Sequence, residues 1–122
     1  MANSKENLQE AFAGESQASR KYLYFAEKAD QDGQPQVARL FRAASDAETV
    51  HARNHLNAMS GIGSVKDNLQ AAISGEHYEF TQMYPGFIDQ AIAEKNGKAQ
   101  VTFNWANKVE QVHQGNKRKM GY

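Results

Sequence analysis

The chain has no cysteine, which excludes disulfides, thiolate nucleophiles, zinc ribbons, iron–sulfur clusters and rubredoxin-type iron sites together. Any metal it holds must be bound by oxygen and nitrogen. Only two prolines and nine scattered glycines punctuate it, and β-branched residues never alternate with polar ones, so strands have little support and helices should dominate. An excess of charge is missing too. Fourteen basic side chains balance fourteen acidic ones, and with a pI near 6.9 no long-range field favours nucleic acid or anionic lipid. There is no run of about 18 apolar residues, and the first seven residues lack the apolar stretch of an export signal. The expectation is a cytoplasmic protein with neither a membrane nor a nucleic-acid partner. At 122 residues and 40% hydrophobic content the chain has material for one domain with one core.

Four helices are predicted. The first starts at a cap, Asn3 or Ser4, with Glu6 placed as in a capping box, and runs to an Asp32-Gly33 stop. Its apolar stripe is Leu8, Ala11, Phe12, Ala18, Tyr22, Phe25, Ala26 and Ala29. Pro35 suits the first turn of the second helix, whose stripe Val37, Leu40, Phe41, Ala44, Ala47 continues to Leu56 and stops near Met59. After the break at 60–63, Ser64 and Asp67 open a third helix that should kink at Pro85 and end near Asn96-Gly97. The fourth runs from about Lys98 to Lys119, with Lys117, Arg118 and Lys119 in a last turn where the helix dipole favours cations. Trp105 shows no role beyond packing.

Laid on itself at an offset of 61, the chain repeats. Residues 7–15 read NLQEAFAGE and residues 68–76 read NLQAAISGE, identical at six of nine positions. Beyond a one-residue slip the likeness resumes, with Glu48, His51 and Asn54 over Glu110, His113 and Asn116. The chain is therefore one domain built from two duplicated helical hairpins, 3–59 and 64–120, joined by a linker at 60–63. A four-helix bundle follows.

Each repeat puts a glutamate, Glu15 or Glu76, on the apolar stripe of its first helix, where carboxylates do not belong. Each then carries Glu-x-x-His on its second helix, Glu48 with His51 and Glu110 with His113, and that spacing puts both side chains on one face. Glu79 adds a carboxylate one turn after Glu76. Five glutamates converging on one core without cations would be driven neutral, and the arginines, Arg20, Arg39, Arg42 and Arg53, fall mostly on polar faces. Metal cations resolve the conflict. Hard oxygen ligands with one or two imidazoles suit iron or manganese, and carboxylates that bridge favour two ions. A glutamate from each of two helices plus Glu-x-x-His from each of the other two is the ligand pattern of di-iron carboxylate bundles. His55 and His77 read as surface histidines. Tyr22 and Tyr84 are candidates to donate hydrogen bonds to the buried carboxylates.

The sequence resembles the rubrerythrin family, in its ferritin-like di-iron domain, over nearly the whole chain. The matching motifs are AFAGESQA at 11–18, Tyr22-Leu23-Tyr24-Phe25-Ala26, Leu40-Phe41-Arg42, Glu48-Thr49-Val50-His51, Gly75-Glu76-His77-Tyr78-Glu79, Met83-Tyr84-Pro85-Gly86-Phe87 and Glu110-Gln111-Val112-His113. The resemblance implies an all-α ferritin-like bundle that holds two iron ions, oxo-bridged when oxidised, with manganese or zinc as other occupants. It implies Glu48 and Glu110 as bridges, Glu15 and Glu76 as terminal ligands, His113 as the nitrogen ligand of one iron, and an exchange of Glu79 for His51 at the other on reduction. The implied activity is reduction of hydrogen peroxide to water in oxidative-stress protection, with Glu79 also passing protons. Two ferrous ions hold the two electrons that O–O cleavage requires. Other outcomes of the same ligand set are a ferroxidase or O₂-dependent oxidase, and a non-catalytic metal-binding bundle.

Two departures from the family's pattern stand out. Many rubrerythrins carry a rubredoxin module after the bundle, whereas this chain ends at Tyr122 without a cysteine, so an external donor such as rubredoxin or a reductase is expected. The link between the hairpins is also short. Glu48 lies 11 residues before Met59 and Glu76 lies 11 after Val65, so at about 1.5 Å per residue a parallel second and third helix need a return of roughly 33 Å. From Met59 to Val65 an extended chain reaches about 20 Å. A domain-swapped homodimer is therefore expected.

Overall fold

A computed structural model describes the backbone of residues 3–119 and the side chains of residues 3–113. It is all-α, as expected: α1 Ser4–Gln31, α2 Pro35–Ala58, α3 Val65–Tyr78, a π-helical segment Glu79–Met83, α4 Tyr84–Ala93 and α5 Gly97–Lys119. The chain divides between Ile62 and Gly63 into two compact units, α1 with α2 and α3 to α5. Among the described residues, no helix is long and apolar enough to cross a membrane. The side chains of Asn116, Lys117, Arg118 and Lys119, and the expected hairpin end at residue 120, lie outside the described residues.

Local chemistry sets the helix ends. Asn3 caps α1 by accepting the Glu6 N–H on Oδ1 at 2.9 Å, and Ser64 caps α3 by accepting the Asp67 N–H at 3.1 Å. Gly33 ends α1 with a φ of 72°, its N–H bonding the Asp30 carbonyl while the Gln34 N–H bonds that of Ala29. The same paired bonds close α4 around Lys95, so that helix stops before the Asn96-Gly97 expected from sequence, and Gly97 opens α5 instead.

Where a kink at Pro85 is expected, the helix carries a widened turn. The Tyr84 N–H bonds the Glu79 carbonyl, five residues back, which opens the spiral just before a residue that lacks an N–H and whose ring would strike the preceding turn. Pro85 then sits in the first turn of α4, where its missing donor costs nothing.

Matched aromatic trios clamp the hairpins. Phe41 of α2 meets Tyr22 and Phe25 of α1 at ring separations of 5.9 and 5.5 Å, and Phe103 of α5 meets Tyr84 and Phe87 of α4 at 6.1 and 5.4 Å. Among the described residues the buried apolar side chains are small: Ala26, Ala29, Ala38, Ala52 and Ala91. Much of the predicted stripe is open within the chain, with Leu40 69% exposed along with Val37, Phe25 and Ile92. A pair of helices buries only the line along which they touch, so half of each stripe awaits further cover. Trp105, expected only to pack, is also 69% exposed.

Candidate metal centre

In the first unit Glu15 projects from α1 and Glu48, His51 and His55 from successive turns of α2. One ligand atom from each of Glu15, Glu48 and His51 lies within 4.8 Å of the others. His51 Nδ1 is 3.3 Å from Glu15 Oε1 and 3.9 Å from Glu48 Oε2. The second oxygen of Glu15 lies against His55 Nε2.

Hydroxyls lock the two helices beside this triad. Ser45, one turn before Glu48 and buried, donates to the Ser19 carbonyl at 2.8 Å. Thr49 donates to the Ser45 carbonyl at 2.9 Å and lies 2.8 Å from the Ser19 hydroxyl. Ser19 follows Glu15 by one turn, so the network fixes the axial register of the two ligand-bearing helices.

In the second unit Glu76 of α3 meets Glu110 and His113 of α5, again with one ligand atom from each inside 4.8 Å. His113 Nδ1 is 3.7 Å from Glu76 Oε1. Glu79, at the start of the π segment, is not in this triad but beside Glu110. Burial pushes the Glu110 carboxyl above its ordinary range, a hydrogen bond to Glu79 and the charges of Glu79 and Glu76 push it further, and His113 opposes them. Burial also raises the Tyr84 hydroxyl, helped by the charges of Glu79 and Glu110. Tyr84 thus stands within electrostatic reach of the carboxylates.

Six of the seven expected ligands fall into two triads, and Glu79 lies next to the second. Tyr22 is described by its ring contacts in the aromatic trio. The reading of His55 as a surface histidine is corrected: its side chain is 29% exposed and faces Glu15. The signal was available, since four residues after His51 is the same helix face. His77 is exposed, with its ring edge-on to Phe80 at 5.4 Å.

These residues fit a metal. Glu110 Oε2 is shielded from solvent and accepts no hydrogen bond, a costly state for a carboxylate oxygen that a cation would relieve, and Glu15 Oε2, equally shielded, has His55 against it as an ion-pair contact without a hydrogen bond. Oxygen donors with one imidazole per triad suit iron or manganese, and zinc tolerates the same set. Arg42, one of the candidate counter-charges, pairs with Asp30 on the surface.

The rubrerythrin family model matches residues 6–120. Rubrerythrin-2 of Clostridium acetobutylicum is 36% identical over 120 residues, an alignment covering 87% of this chain and 65% of that protein. Nigerythrin of Nitratidesulfovibrio vulgaris is 38% identical over 122 residues, covering 88% of this chain and 60% of that protein. A solved structure described as the fully reduced, all-ferrous state of nigerythrin shares 34% identity, with 98% of this chain and 66% of that one covered and a TM-score of 0.48. The chain spans about 60 to 65% of the length of the curated relatives it matches. A family model that runs through both halves of the repeat and takes in both triads leaves one conclusion: the chain belongs to the rubrerythrin family.

Proposed function

We propose that this chain is a di-iron oxidoreductase of oxidative-stress defence that reduces hydrogen peroxide to water with electrons from an external donor. The observation that carries the reading is the pair of Glu/Glu/His triads, each with a carboxylate oxygen buried and without a hydrogen bond. Glu15, Glu48, Glu76, Glu110 and His113 would hold the ions, with Glu48 and Glu110 as bridges, and Glu79 would exchange for His51 at one of them on reduction. Bound iron supplies the electrons for breaking the O–O bond.

The chain's own residues position and protonate. Glu110 and Glu79 share a hydrogen bond, so without metal this pair retains a proton more readily than an isolated carboxylate; with Glu110 engaged by metal, Glu79 would be the carboxylate left to hold and pass a proton. The Tyr84 hydroxyl, raised by burial and by the same carboxylates, stays protonated and available as a hydrogen-bond donor.

The reading includes a domain-swapped homodimer. Helix α2 ends at Ala58 and α3 begins at Val65, and a linker of that length reaches only about 20 Å when extended, less than the return of roughly 33 Å that a closed ferritin-like bundle requires. The exposed half of each apolar stripe supports the same idea, because a partner hairpin would cover it.

The test is rapid mixing of the diferrous protein with peroxide and, separately, with O₂. Faster oxidation by peroxide is expected, whereas faster oxidation by O₂ would make the chain a ferroxidase or oxidase. His51→Ala should slow peroxide turnover while leaving iron binding largely intact, and light scattering of the iron-loaded protein should give a dimer.

A further inference from the structure

Glu15 is held between two imidazoles one helical turn apart. Its Oε1 faces His51, a member of the triad, and its Oε2 faces His55, which is not. His55 is half-buried and follows His51 by four residues, so the backbone of α2 places the two rings in line along one face. The two oxygens of Glu15 therefore have different neighbours and different tasks. In the repeat the position matching His55 is Lys117, so this arrangement belongs to the first hairpin alone.

We infer that His55 is a positioning residue: its imidazole engages Oε2 of Glu15 so that Oε1 is presented in one orientation to the metal held by Glu15, Glu48 and His51. A carboxylate on a three-bond side chain turns readily about its last bond, and a ligand free to turn alternates between one-oxygen and two-oxygen binding. An imidazole nitrogen held against the far oxygen restricts that freedom, as partners behind metal ligands commonly do. The effect is confined to one ion of the pair, which makes the centre asymmetric although the repeat that builds it is nearly symmetric. The inference rests on the metal-binding reading above.

The experiment is titration of Co²⁺ into the metal-free full chain, followed by the visible absorption of the bound ion and by chelator competition, for the native protein, His55→Ala and His55→Gln. The native protein should bind two ions. His55→Ala should weaken one of them about 10- to 100-fold and change its absorption band while leaving the other as it was. His55→Gln, whose amide nitrogen reaches about as far as Nε2, should recover most of that loss. Native affinity for both ions in His55→Ala would overturn the inference, as would equal weakening of both ions, or a glutamine variant as weak as the alanine variant, which would assign the effect to the bulk of the ring. Failure of the native protein itself to bind Co²⁺ would instead overturn the metal-binding reading.

Discussion

The two hairpins carry the same ligand triad and the same aromatic clamp, yet they are built to different tolerances. From Glu15 to Tyr22 is seven residues and from Glu76 to Tyr84 is eight. The extra residue falls in the π segment Glu79–Met83, and beyond it Tyr84, Phe87 and Phe103 repeat Tyr22, Phe25 and Phe41 with ring separations that agree closely. The widened turn absorbs the insertion without disturbing either end. It also puts Glu79 next to Glu110, whereas the first hairpin has Gln17 and Ala18 in the corresponding stretch. The first hairpin is locked by hydroxyls, and the second has the buried, unpaired Oδ1 of Asn107 where the first has Ser45. The first half fixes its helix register with hydroxyls, and the second carries the spare carboxylate and the widened turn.

The comparison breaks most severely at Glu110. Glu110→Gln removes a proposed ligand outright and should weaken metal binding by more than the roughly 100-fold typical of losing an outer partner. In the metal-free protein the same change should raise the melting temperature at neutral pH, because it removes a like charge from beside Glu79. The sign follows from linkage. The folded protein keeps a proton on Glu110 that the unfolded chain releases near the ordinary 4.5, so metal-free stability declines as pH rises from that value through the raised one. Glu110→Gln should flatten that decline, and melting curves between pH 4 and 8 check it. Glu48→Gln should lose metal without the gain in stability, since no second carboxylate stands where Glu79 would be.

Deleting Gln82 would give the second hairpin the spacing of the first. An unbroken α-helix would then run into Pro85, at a cost of about 3 kcal/mol. Adding Pro85→Ala should recover most of that stability. If the deletion alone leaves urea unfolding unchanged, the π turn does not exist to seat the proline.

A smaller effect separates the hydroxyl lock from its counterpart. Ser45→Ala removes a hydroxyl that bonds both the carbonyl and the hydroxyl of Ser19 and should cost about 1 kcal/mol or more, while Asn107→Ala, which removes an unsatisfied oxygen, should be neutral or stabilising. Equal losses in the two variants would show that the hairpins are held alike.

The two Glu/Glu/His triads were legible because their signal is periodic and doubled. Glu-x-x-His marks one helix face, and a repeat that preserves it twice singles out Glu15 and Glu76 as well. The π segment was visible only as a slip in the repeat, since an insertion leaves a trace in spacing while its backbone form depends on which turn yields, here the one before Pro85. The exposure of Leu40 and Trp105 was not legible at all. An amphipathic stripe says that a face is apolar, and what covers it is a property of the assembly.

The hairpin turns supply the mildest test. Gly33 and Lys95 occupy matching places after the first helix of each hairpin, with φ of 72° and 58°. Glycine takes this left-handed conformation freely, but in lysine Cβ crowds the following carbonyl at a cost of roughly 1–2 kcal/mol. Lys95→Gly should therefore stabilise the protein by about 1 kcal/mol or slightly less, because glycine also gains freedom in the unfolded chain. Gly33→Lys should cost a similar amount, and open space around the Gly33 Cβ position leaves backbone strain as the only penalty. If urea denaturation shows Lys95→Gly to be destabilising, the lysine side chain contributes something at this turn that its glycine counterpart lacks, and the two hairpins then differ at the end remote from the metal ligands as well as beside them.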